Sequence, residues 1–299
     1  MDLWIVISIA AALFQTVRFM LQKQLSLVQL SAAGATFARF VYSAPILCAL
    51  LAVWLGLGEA RVALPTAGFW AYGAIGGAAQ ITATVLTVLL FKRRNFAVGV
   101  TFIKVEVVMT ALVGMVVLGD KVSLPGLAAI LIGVAGVLVL SGPQVEGNIL
   151  NRLITPSAAL GLAAGALFGV SAVSYRGASL LVAAEDPFLR ALVTLAAVTT
   201  MQTLAMAVWL VWREAGEIGR VFGAWTRAGW IGLTSMAGSF CWFTAFTLQN
   251  AAYVKAVGQV ELIFAVLGSV LFFRERITRR EWIGMALLSA SILGLVLLL

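Results

Sequence analysis

The sequence predicts an all-α integral membrane protein, with ten transmembrane helices in two inverted five-helix repeats around a central cavity. Three observations carry that prediction. Of 299 residues, 62% are hydrophobic and only 11% charged, where a soluble domain has about a quarter charged. The apolar residues fall into ten runs of the length, about 20 residues, that a bilayer core requires. Finally, the C-terminal half repeats features of the N-terminal half at matching positions.

Taken in order, the spans are read at residues 3–23, 31–56, 66–91, 96–118, 123–141, 157–181, 187–211, 227–249, 252–273 and 279–298. Pro65, Pro125, Pro156 and Pro187 mark helix starts, the first-turn position where a missing N–H does no harm. Pro45 falls inside the second span and predicts a kink there. Gly161, Gly165 and Gly169 recur at every fourth residue of the sixth span, as do Gly73 and Gly77 in the third. Small residues at that spacing predict close helix packing. The longest connections, residues 141–155 and 213–226, are too short for a soluble domain. Residues 1–142 therefore form the first repeat, 143–156 a cytoplasmic linker and 157–299 the second repeat.

The formal net charge of +8 resides in short clusters between apolar runs, not on a nucleic-acid-binding face. The clusters follow the odd-numbered spans: Lys23; Lys92, Arg93 and Arg94; Arg152; Arg213, Arg220 and Arg227; and Arg274, Arg276, Arg279 and Arg280. The other loops hold little beyond Arg61, Lys121 and Lys255. By the positive-inside rule the clustered loops are cytoplasmic and both termini lie outside. Cys48 and Cys241 sit within apolar segments and imply no disulfide framework. The chain has no histidine, and no cleavable signal peptide is expected at Met1–Trp4.

The duplication is visible without gaps. VEVVMTALVGMVVLGDKVS from Val105 aligns with VELIFAVLGSVLFFRERIT from Val260, placing Glu106 on Glu261, Asp120 on Glu275 and Lys121 on Arg276. Arg39 in ATFARF matches Arg190 in PFLRAL, and the ALF of residues 12–14 matches that of 166–168. An odd number of spans per repeat inverts the second copy, an arrangement that in transporters puts the substrate site near the midplane between repeats.

Two five-helix halves, each with a glutamate in the fourth helix and a second acid at that helix's end, resemble the drug/metabolite transporter superfamily, and within it the ten-helix EamA-type exporters. The motif reads Glu106 to Asp120 and Glu261 to Glu275, with Arg39 and Arg190 matching an arginine of the second helix of each half. Val107 and Leu262 stand where a proline often follows the glutamate, and Asp120 where Glu is usual. The resemblance implies a carrier in the bacterial inner membrane that exports amino acids, aromatic ones included, or similar metabolites. It implies no cofactor, and no obligatory protein partner is evident.

Read as chemistry, Lys104 and Glu106 are two residues apart and point about 200° away from each other on a helix, so they form no local pair. Each costs roughly 2.5–3.5 kcal/mol in hydrocarbon. Glu106 lies roughly 16 Å along its helix from Asn95, near the midplane, and Glu261 reaches a similar depth from the other side. A free amino acid suits such a site: Lys104 would receive its carboxylate and Glu106 or Glu261 its ammonium. Gln80, Thr84, Gln249 and Gln259 would add neutral partners, with spans 3 and 4 facing spans 8 and 9. Trp242, among Phe240, Phe243 and Phe246, is too deep for an interfacial belt, unlike Trp54, Trp70, Trp212, Trp225 and Trp282. Arg39, Asp120, Lys121, Arg190, Glu275 and Arg276 are read as structural or gating residues at helix ends, and Lys255 as shallow.

Export by alternating access without ATP is the leading expectation, since no G-x-x-x-x-G-K-[ST] motif occurs. A sugar-phosphate or nucleotide-sugar exchanger would need more cavity cations than Lys104. An intramembrane lipid-modifying enzyme would need clustered His, Asp or Ser at an interface, and the chain is read as a non-enzyme.

Overall fold

The computed structural model describes residues 2–57, 65–118, 155–249 and 251–298, with isolated positions between 128 and 139. It is 87% helix, and no strand occurs among the described residues. Helix is what lipid demands, because it satisfies backbone N–H and C=O groups within one segment. Among the described residues seven helices are long and apolar enough to cross a membrane by length and composition, which indicates a multi-pass membrane protein.

In chain order the helices are α1 Leu3–Val28, α2 Ala32–Val41, α3 Ala44–Leu57, α4 Ala67–Phe91, α5 Phe96–Ile103, α6 Val105–Leu118, α7 Pro156–Leu180, α8 Pro187–Arg213, α9 Glu217–Gly223, α10 Trp225–Leu248, α11 Ala251–Val257, α12 Glu261–Leu267 and α13 Arg279–Leu298. A 3₁₀ turn, Gly258–Val260, joins α11 to α12, and a π-helical turn, Gly268–Phe272, follows α12. The expected span at 123–141 lies outside the described residues.

Side chains set several helix starts. Ser31 accepts from the Gly34 N–H at 2.9 Å and Thr155 from the Ala158 N–H at 3.2 Å. Asp186 accepts from the Phe188 N–H at 2.9 Å. Each satisfies a donor that the first turn leaves open. Pro156 and Pro187 open their helices as expected, whereas Pro65 lies just ahead of the Thr66 cap. The buried Glu217 carboxylate also takes the Ser31 N–H, at 2.6 Å, and so caps α2 from a connecting helix.

The first, fourth and ninth spans differ from expectation, and the second is interrupted beside the Pro45 that predicts a kink. Helix α1 runs through Lys23 to Val28, because Lys23 is buried against Glu275 and does not end the helix in water. The second span parts at Tyr42–Ser43, between α2 and α3, just before Pro45 removes a donor. The fourth and ninth spans are not continuous α-helices: the fourth breaks at Lys104 and the ninth at Gly258–Val260. At the first break the Lys104 N–H bonds to Thr101 O and the Val107 N–H to Lys104 O, i→i−3 bonds of 3₁₀ type.

Packing explains the break at Lys104, which no proline or glycine marks. The glycine stripe of α7 lies directly on it. A Cβ on Gly165 would sit 2.9 Å from both Glu106 N and Ile103 O, and one on Gly169 would sit 3.0 Å from Thr110 N. Only residues without a Cβ permit this backbone approach. Elsewhere α4 packs chiefly on α7 and α1 on α10, while α6 meets α7 and α12 meets α1. Spans 3 and 8 therefore have 6 and 1 as their main neighbours, not each other.

Gly165→Ala is expected to destabilise the protein by about 1–3 kcal/mol through forced backbone displacement. Gly229→Ala, where a Cβ meets nothing within 4 Å, serves as the control. Thermal unfolding in detergent separates the two, and equal midpoints would refute the packing account.

Candidate functional site: crossed ion pairs at broken helices

Both helix breaks precede a buried glutamate. Glu106 stands in the first turn of α6 and Glu261 in the first turn of α12, the end of a helix that favours negative charge. Their relative exposures are 3% and 0%, so each needs a cation. The pairing crosses between halves of the chain. Lys104 Nζ meets Glu261 Oε2, and Lys255 Nζ meets Glu106 Oε1 at 2.7 Å.

Lys255, expected to be shallow, is 8% exposed and paired with Glu106. Lys104 is paired with Glu261. The pairs are also tied together. Gln15 Nε2 donates to Glu261 Oε2 at 2.8 Å, and Trp242 Nε1 donates to Gln15 Oε1 at 3.0 Å. Lys255 Nζ lies 4.3 Å from the Trp242 ring centroid, a cation–π distance. The indole rests on Gly258, where a Cβ would come within 2.4 Å of it. Trp242 is thus a buried bridge between the pairs, stacked on Phe246 at 6.0 Å. Glu261 Oε1 and Gln259 Oε1 are buried acceptors with no hydrogen-bond donor among the described residues. Gln259 Nε2 folds back onto Lys255 O at 2.9 Å.

A second polar node surrounds Arg39. Its Nε donates to Ser235 Oγ at 2.8 Å, Nη1 to Thr84 Oγ1 at 3.2 Å and Nη2 to Ser239 Oγ at 3.2 Å. Spans 3 and 8 thus meet through one side chain of span 2, Arg39 in the last turn of α2. Arg190, which aligns with it in sequence, is half-buried and donates to the nearby Ala184 O. Gln80 accepts from Tyr175 OH at 2.9 Å and Gln202 Nε2 at 3.1 Å. Gln249 ends α10, and its carbonyl is held by Arg176 together with that of Phe246.

At one end of the bundle Glu275 is a hub. It pairs with Lys23, accepts from Phe96 N at 2.7 Å, and takes Ser269 Oγ at 2.5 Å. Asn95 Nδ2 closes on Arg276 O at 2.9 Å, the Arg276 side chain itself being exposed. Arg274 adopts a left-handed φ of 54° beside this hub, an uncommon backbone state for a residue with a Cβ. Asp120 and Lys121 lie outside the described residues. A larger groove lined by Leu47, Trp54, Leu192, Met236 and Phe240 is apolar and open to the side. It contains none of this chemistry.

Two residues of the paired charges have no role in the sequence reading: Gln15, and Lys255, which is read there as shallow. Gln15, Arg18 and Gln22 sit at intervals of three and four in α1, one face of a helix. That polar stripe in an apolar run was the available signal.

The fold and site thus define a helical membrane protein with paired charges held between its halves. Residues 155–297 match the EamA-like transporter family, which belongs to the drug/metabolite transporter superfamily. That half resembles an EamA-like transporter domain. No curated protein matches the chain. Among solved structures 27 chains match. One, a crystal structure described only as that of a protein, superposes with a TM-score of 0.63 at 15% identity, covering 99% of this chain and 96% of its own. At that identity the likeness concerns the fold alone.

Removing one partner of a buried pair leaves an uncompensated charge, which costs about 3–5 kcal/mol. Lys104→Ala is expected to lower stability by that amount, and Lys104→Met combined with Glu261→Gln to recover most of it. Unfolding midpoints of detergent-purified variants check this. A double variant no better than the single one would contradict the pairing.

Proposed function

We propose that the chain is a membrane carrier that exports amino acids and similar small metabolites from the bacterial cytoplasm by alternating access, without ATP hydrolysis. The single observation that carries this reading is the crossed pairing of Lys104 with Glu261 and Lys255 with Glu106 at interrupted helices. Discontinuous helices bearing charge at the midplane are where carriers bind solutes. A purely structural role would be served as well by apolar side chains.

The ten-span topology and the inverted repeat belong to the same proposal. In their favour, helix contacts come in pairs that exchange the halves: α4 with α7 beside α10 with α1, and α6 with α7 beside α12 with α1. The hub at Glu275 joins loops rich in Lys and Arg, which are cytoplasmic by the positive-inside rule. Its contacts with Lys23, Phe96 and Ser269 then act as a cytoplasmic gate in the closed position. The unpartnered Glu261 Oε1 and Gln259 Oε1 suit the ammonium of an amino acid. They offer nothing to a phosphate, whose oxygens the glutamates would repel.

Reporter fusions at Leu299 and Asn95 are expected to report opposite compartments, with Asn95 cytoplasmic. One shared compartment would exclude this topology. Proteoliposomes loaded with a panel of labelled amino acids, sugar phosphates and nucleobases should release amino acids unchanged. Chemical conversion of the solute would indicate an enzyme instead. A pH gradient at clamped voltage should drive no accumulation of amino acid, and accumulation would make the carrier proton-coupled.

A further inference from the structure

Among the described residues the interior holds more positive than negative charge. Lys104 and Lys255 balance Glu106 and Glu261, but Arg18 and Arg39 are 2% and 4% exposed and form no ion pair among the described residues. Arg39 is held only by the hydroxyls of Thr84, Ser235 and Ser239. Among those residues the Arg18 guanidinium has one hydrogen-bond partner, Gln22 Oε1 at 2.8 Å, and lies 4.2 Å from the Phe19 ring centroid. Arg18 interacts electrostatically with both Arg39 and Glu261. Hydroxyls satisfy donors but leave a buried charge uncompensated, and a guanidinium offers five donors in a fork that fits a carboxylate.

The space beside Arg39 is polar, lined by Ser43, Gln80, Gln202, Ser235 and Ser239, and is closed to about the size of one water molecule. Arg18 stands three residues beyond Gln15, the residue that holds Glu261, about 4.5 Å along α1. Arg18 and the residue that holds Glu261 thus lie within one turn of α1.

Building on the proposed carrier function, we propose that Arg39, reinforced by Arg18, is the carboxylate-binding subsite of this protein, the substrate's ammonium being received at Glu261 Oε1. Ligand entry requires α2 and α10 to part, since the polar space is closed here. A carboxylate then replaces hydroxyl contacts with an ion pair and neutralises part of the excess charge.

The test measures binding, not transport, so it does not depend on finding the flux conditions. Unfolding midpoints of the purified protein are recorded with glycine, alanine, leucine and phenylalanine, each set against its carboxamide, and with inorganic phosphate. At least one free acid should raise the midpoint while its carboxamide does not. Arg39→Gln and Arg18→Gln should weaken that binding about tenfold or more, Arg18→Lys less so. Arg39→Lys provides a second variant: it keeps the cation and loses the fork, and should retain part of the binding that Arg39→Gln abolishes. Equal binding of acid and carboxamide, unchanged binding in Arg18→Gln, stabilisation by phosphate alone, or no stabilisation by any free acid would each overturn the assignment. Amino-acid flux in vesicles alongside any of these results would leave the carrier reading standing. Absence of flux despite acid-selective binding would reject the carrier and keep the subsite.

Discussion

A carboxylate buried in a membrane must meet a cation or lose its charge, and this requirement organises the centre of the molecule. Glu106 and Glu261 find their lysines across the chain, not within their own helices. To present them, the fourth span interrupts its helix at Lys104 and the ninth turns through 3₁₀ geometry at Gly258–Val260. The glycine stripe of α7 admits the first break, and Gly258 admits the Trp242 ring at the second. Helix breaks, glycines and aromatic bridge are thus parts of one electrostatic solution.

The solution is uneven in a way that suits a binding protein. The acids are matched by lysines, whereas among the described residues Arg39 meets hydroxyls and Arg18 an amide oxygen. Around this centre the exterior is apolar, and Trp54, Trp70, Trp212, Trp225 and Trp282 are exposed near helix ends, where indole rings suit the boundary between lipid and water. Polar chemistry is therefore concentrated along one internal line, from the Lys23–Glu275 pair through Gln22, Arg18 and Gln15 to Glu261. All the α1 members of that line are side chains of a single helix.

Much of this was legible in sequence because membrane burial writes a strong pattern. Long apolar runs located the described spans, and the gapless alignment singled out Glu106 and Glu261. What sequence could not convey was partnership. Nothing local to Lys104 says that its acid lies 157 positions away, and Lys255 looks peripheral because only the break before Glu261 brings it inward. Arg39 and Arg190 occupy matching positions yet differ in burial, since α4 and α10 enclose the first and a loop carbonyl answers the second. The helix break at Lys104 left no trace in composition because its cause, the approach of Gly165, is tertiary.

The crossing of the charges also bears on how the chain is made. The first half reaches the bilayer with Lys104 and Glu106 both facing inward and both without their partners, which are translated some 150 residues later. Until α11 and α12 arrive, those two groups must remain hydrated or stay beside the insertion machinery. Neither half is electrically complete alone. Assembly therefore has a natural last step, the docking of the ninth span, which neutralises both sides at once.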